Sequence, residues 1–197
     1  MRYPDFFNTI ETIRLQDNLS DFLGTFEDGI VEFSYLDIVK SAGHSCPTVA
    51  GAYLMCLVGL KELYKNQTPI RGEILVSFKD NAMDGVAGVI ASVMTQITGA
   101  TESLGFKGIS GEFIRHDLMK FNADISSSVK FTRRDTNKSI EIIYNPNSIQ
   151  ANPLQTQLMQ KIMKNIASKE EIESFGKLWQ KRVENIFLNI DKVIAVK

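Results

Sequence analysis

Gly43-His44-Ser45-Cys46-Pro47-Thr48-Val49-Ala50-Gly51-Ala52-Tyr53-Leu54-Met55-Cys56-Leu57-Val58-Gly59-Leu60 places a histidine and a cysteine just ahead of a nearly unbroken apolar run. Pro47 suits the first turn of a helix, because the amide hydrogen it lacks would have no intrahelical partner there. About fifteen residues without a polar face then predict a helix buried on all sides. Such a helix needs a sheet and other helices around it. The expected fold is α/β (α+β), a mixed sheet packed around a buried central helix.

Working outward, Ser34 can cap a short helix over Tyr35 to Lys40 that ends near Gly43. Gly29 to Phe33 reads as a strand, and Pro4 to Leu23 carries helical spacing that Gly24 stops. On the C-terminal side Ile70 to Phe78 alternates as a strand. A helix over Gly85 to Thr98 follows, capped by Asn81 or Asp84 and ended by Gly99. Gly99 to Gly111 is a glycine-punctuated loop. Ser128 to Arg134 and Ser139 to Tyr144 alternate about a four-residue polar link, Asp135 to Lys138, and predict a hairpin. After Pro153 the apolar period becomes helical. Leu154, Leu158, Met159, Ile162, Met163 and Ile166 form one stripe. Ser168-Lys169-Glu170-Glu171 is a capping box opening a second helix, striped by Ile172, Phe175, Trp179, Val183, Ile186, Phe187 and Ile190. The division expected is an α/β metal-binding domain over 1–150 and a C-terminal helical pair over 151–197, lying on the domain's own sheet or on a second copy of the chain.

The 197 residues are 44% hydrophobic and 23% charged, with a formal net charge of -1, which suits one domain with an appendage. That balance gives no electrostatic reason to expect nucleic acid or an anionic membrane as partner. No apolar run approaches the roughly 18 residues of a membrane span, and the start of the chain lacks a signal-peptide pattern. Cys46 and Cys56 are the two cysteines. On or beside one helix they lie roughly 15 Å apart, too far to pair. The cytoplasm, with both thiols reduced, is the expected location.

Chemistry concentrates at His44 and Cys46. A cysteine at a helix start faces unpaired backbone amides and the positive end of the helix dipole, which favours the thiolate. A nearby imidazole adds a second ligand of borderline softness, a combination suited to zinc and related transition metals. Taken alone, His-x-Cys is common enough to be incidental. Gly-His-Ser-Cys-Pro ahead of an apolar helix carrying Gly51 resembles the His-Gly-His-x-Cys-Pro-Gly signature of the formylmethanofuran dehydrogenase E-subunit family. Asp84-Gly85-Val86 followed by Gln96-Ile97-Thr98-Gly99-Ala100-Thr101 is similar to that family's Asp-Ala-Ile and Thr-Gly-Cys-Thr blocks. The resemblance spans roughly Ser34 to Tyr144. It implies an α/β domain, usually a homodimer, with a transition metal, often zinc, at the His/Cys motif. The chain departs from the pattern at Ala42, Thr48, Asn81 and Ala100, and the family's C-terminal Cys-x-x-Cys ribbon is replaced by helices.

Two protein ligands leave a four-coordinate metal half open, so His116 is a third candidate, with Asp117 beside it to orient the ring. Its plainer reading is a surface histidine in a basic stretch. Asp84 and Asn81 are further oxygen donors or plain caps. Gly105, Gly108 and Gly111 fit no phosphate-binding pattern and read as loop. Lys130, Arg133 and Arg134 read as a solvated edge, and Cys56 as a buried core thiol. The expected function is metal binding at His44 and Cys46 with an open position for catalysis or a small ligand. Alternatives are haem or another cofactor held by the same residues, Cys46 as a redox-active or nucleophilic thiol with His44 as base, or a purely structural interaction module.

Overall fold

The computed structural model describes all 197 residues, Met1–Lys197, and the fold is mixed α/β. Its centre is a helix, α3 (Pro47–Tyr64), capped at its start by the Cys46 side chain with Pro47 in its first turn. Tyr53, Leu54, Met55 and Cys56 follow one another with no exposed surface, so the helix is buried on all sides as its sequence predicts. Burial pushes the Cys56 thiol well above its ordinary range, which leaves it an uncharged core residue.

Beneath α3 lies a five-stranded sheet built from β3 (Ile74–Phe78), β4 (Met119–Lys120), β5 (Val129–Arg133), β6 (Ser139–Tyr144) and β7 (Ile194–Val196). The spatial order is β4-β3-β5-β6-β7, parallel at β3/β4 and antiparallel elsewhere. Two glycines let α3 approach this sheet closely. A β-carbon on Gly51 would stand 2.2 Å from the Tyr144 ring, and one on Gly59 would stand 2.3 Å from Ile142. Around the rest of α3 pack α2 (Tyr35–Ala42), α4 (Ala87–Thr98) and α6 (Lys169–Leu188). Two small residues of α4, Ala87 and Ala91, are buried.

The hairpin β5–β6, the Ser34 cap of α2 and the capping box opening α6 form as expected, and the α2 cap is itself a capping box with Asp37. Several elements differ from the sequence reading. Pro4 to Leu23 is no single helix. It divides into a 3-10 turn at Asp5–Thr9, a strand β1 (Ile13–Gln16) and a short helix α1 (Asn18–Phe22). Ile13 and Leu15 are buried at a period of two, and β1 pairs with β2 (Ile30–Phe33), which outweighs the weak helical spacing. The strand expected from Ile70 starts only at Ile74, because Gly72 turns the chain with φ 86°. Neither Asn81 nor Asp84 caps α4. Gly85 has φ 50°, the helix starts at Ala87, and the Asn81 carboxamide accepts from the Met83 amide instead.

The expected solvated edge is also overturned at Arg133. Strand β5 lies between β3 and β6, and Arg133 is buried over the Tyr64 ring at 4.2 Å with its guanidinium bonded to Asp135 and Gln67. Residues 151–197 enter the same core. Helix α5 (Pro153–Met163) rests on α6, α6 packs on α3, and α7 (Ile190–Val193) leads into β7, the sheet's outer strand. Val183 and Ile186 of α6 have no exposed surface. Of the helical pair, α6 therefore covers its own chain's central helix, and α5 lies against α6.

At the opposite end, Asp17 joins three segments. Its carboxylate caps α1 by accepting from the Leu19 and Ser20 amides and takes Arg71 Nη1 at 2.9 Å and Arg115 Nη2 at 2.7 Å. Arg71 also donates to the Gln96 and Ile97 carbonyls in the last turn of α4, where cations suit the negative end of a helix. No helix is long and apolar enough to cross a membrane.

Candidate functional site

The short connection between α2 and α3 carries the histidine and the cysteine. Ser34 and Asp37 close a capping box at the start of α2, and Gly43 ends that helix in the left-handed region at φ 76°. The chain turns there and re-enters a helix four residues later, with Cys46 extended at φ -149° as the N-cap. Sequence predicts this outline because an N-terminal cap, a left-handed glycine and a proline at the next helix start are all local signals.

His44 is exposed, and its Nδ1 lies 2.9 Å from the Ala42 carbonyl. A carbonyl can only accept, so Nδ1 carries the hydrogen, and in the neutral imidazole the lone pair is then on Nε2. That is the tautomer a metal-ligating histidine needs. Cys46 is half-buried, and its sulfur accepts the Val49 amide hydrogen at 3.4 Å. The pair thus offers one imidazole nitrogen and one sulfur at a helix start.

No three His, Cys, Asp or Glu side chains gather into a metal-holding group in one chain, so His116 does not complete the pair there. His116 lies in the connection between α4 and β4, and its Nδ1 is 2.6 Å from an Asp117 carboxylate oxygen. The orienting contact expected from the sequence is present, without the shared ligand cluster. Asn81 and Asp84 belong to the turn before α4. Gly108 and Gly111 are both at positive φ, Gly108 just before and Gly111 within a tight turn closed by a bridge between Ile109 and Glu112.

Four residues that sequence reasoning assigned to core or left unremarked surround the motif. The Tyr35 hydroxyl lies 2.9 Å from Ser45 Oγ, and the Tyr144 hydroxyl donates to the Pro47 carbonyl at 2.6 Å. Burial pushes both phenols well above their ordinary range, and a charge on Cys46 would add to the effect, so both remain O–H groups. From α6, Trp179 Nε1 and Gln180 Nε2 both donate to the Ser45 carbonyl, at 3.0 and 3.2 Å. Trp179 carried one signal in the sequence: a buried indole N–H usually finds a partner. The partner's identity carried none, since it lies 134 residues away.

A haem would need a cavity beside its axial ligand. A groove of about 820 Å³ runs between residues 2–6 and α6, and neither His44 nor Cys46 lines it or three smaller cavities.

Residues 42–194 match the family model described as FmdE, Molybdenum formylmethanofuran dehydrogenase operon. No curated protein and no solved structure gives a significant match to the chain.

Proposed function

The chain belongs to the FmdE family, and on that premise we propose that it binds a transition metal, zinc first among them, through His44 Nε2 and Cys46 Sγ. The observation that carries this reading is the hydrogen bond from His44 Nδ1 to Ala42, which leaves Nε2 free as a donor atom two residues along the chain from a helix-capping sulfur. Imidazole and thiolate together suit a borderline-soft divalent ion. With two donors from one chain, the other coordination positions are left for water, a small ligand or a second copy of the protein. When bound, such an ion would supply Lewis acidity at an open position.

We place the protein in the cytoplasm, where Cys46 stays reduced, as a homodimer. His116 is a third ligand only where a second copy brings it to the pair. The alternative occupant of the site is no metal at all, with Cys46 as a thiol nucleophile. Metal analysis by mass spectrometry of untagged wild type, His44→Ala and Cys46→Ala separates the two. Near-stoichiometric metal in the wild type, lost in both variants, is the expected result. A wild type that is metal-free and refuses added zinc overturns it and leaves the thiol chemistry of Cys46 as the reading to test.

A further inference from the structure

Ser45 separates the two proposed ligands and is the most heavily tethered residue of the α2–α3 connection. It is 9% exposed, its hydroxyl meets Tyr35, and its carbonyl accepts from both Trp179 and Gln180. A carbonyl oxygen has two lone pairs, and here both are used. That carbonyl shares one rigid peptide plane with the Cys46 nitrogen. Two donors converging on it therefore set the plane's tilt, and with it the direction in which the Cys46 side chain leaves the loop. The Gln180 amide keeps Nε2 on Ser45 although its own oxygen is then buried without a partner.

We propose that α6 is a clamp on the motif, with Trp179 and Gln180 as positioning residues that orient Cys46 through the Ser45 carbonyl. Neither hydrogen-bonds to a proposed ligand atom; both act on the backbone between the two proposed ligands. The C-terminal helix, which the sequence presents as an appendage, thereby becomes part of the site. The metal-affinity side of this inference rests on the metal-binding reading above, whereas the thiol side does not.

The test uses the full chain carrying Trp179→Phe, Gln180→Leu or both, with Val183→Ala as control. Val183 is fully buried on the same helix, and trimming it lowers stability by a route that leaves the donors on Ser45 in place. Two quantities are read: the rate at which Cys46 reacts with an aromatic disulfide reagent in metal-free protein, and cobalt(II) affinity from the thiolate-to-metal absorption. Cys56 is fully buried and silent in the first assay. Each clamp variant should raise the thiol rate and weaken cobalt by about fivefold, the size of one net hydrogen bond. The double variant should exceed tenfold by the same reckoning, with Val183→Ala within about twofold. Unchanged values in the clamp variants, or equal changes in Val183→Ala, overturn the clamp. If the double variant does not fold, Trp179→Phe decides, since it removes the N–H and keeps a ring. A wild type that binds no cobalt defeats the metal reading alone, and the thiol rates still decide the clamp.

Discussion

Asp17 illustrates how one side chain can tie the molecule together without belonging to its chemistry. Burial by itself would raise its carboxyl, but the Arg71 hydrogen bond and the Arg115 charge outweigh burial and hold it below the ordinary carboxylate value. A carboxyl lowered on folding contributes stability above its unfolded value and loses it as pH falls through the folded one. Asn at this position keeps one oxygen to cap α1 but removes the charge and one of the two acceptor oxygens that the arginines share. Asp17→Asn should therefore cost about 3 kcal/mol at neutral pH, because it leaves two guanidiniums without their counter-charge. The gap from wild type should begin to narrow below about pH 4 and shrink further as pH falls through the lowered folded value. Denaturant unfolding of both proteins at pH 7 and pH 3 checks this; an equal gap at both would show that the ion pairs contribute nothing. Sequence could not supply this network, since Arg115 lies 98 residues from Asp17.

At the scale of elements, α3 and its seat on the sheet set two effects against each other. Replacing a mid-helix glycine by alanine gains about 1 kcal/mol of helix propensity. A methyl group on Gly51, however, would enter the Tyr144 ring, which the Pro47 carbonyl holds by its hydroxyl. Overpacking of this kind costs about 1–3 kcal/mol, so packing should win at Gly51. At Gly59 the nearest atom is the mobile end of Ile142, although the Phe131 ring stands at 2.8 Å, and the loss should be smaller. Thermal unfolding of Gly51→Ala and Gly59→Ala should give that order of melting temperatures. A stabilised Gly51→Ala would mean that α3 sits less tightly on β6 than these distances imply. The elements that sequence identified best, α2, α3, α6 and the hairpin, are those with caps, a left-handed glycine or strict alternation. Misread elements, above all Pro4 to Leu23, are short and acquire their form from partners such as β2 and Arg115.

For the whole molecule, the question is whether residues 151–197 can be removed. The sequence treats them as an extension, yet β7 is hydrogen-bonded to β6, Phe187 packs on Tyr35 with ring centroids 4.7 Å apart, and Val183 and Ile186 are fully buried. A fragment ending at residue 150 would expose the apolar flank of α3 and leave β6 as an unprotected edge. It should lack a cooperative unfolding transition in scanning calorimetry, whereas the full chain should unfold in one step. A fragment that melts cooperatively near the full chain's temperature would establish 1–150 as an independent domain.

Sequence alone determined the local features. They are the buried helix and its cysteine cap, the glycine turn holding His44, the hairpin, and the family motif itself. Each rests on neighbours within a few residues, where periodicity, capping and φ preference act. Tertiary structure alone decided which distant groups meet. It turned Ser45 from a spacer into an anchor, brought Trp179 and Gln180 onto its carbonyl, buried Arg133 in a central strand, and kept His116 out of a ligand cluster within one chain. Those pairings depend on burial and on the partners that unsatisfied polar groups find across the fold, and spacing along the chain carries no record of them.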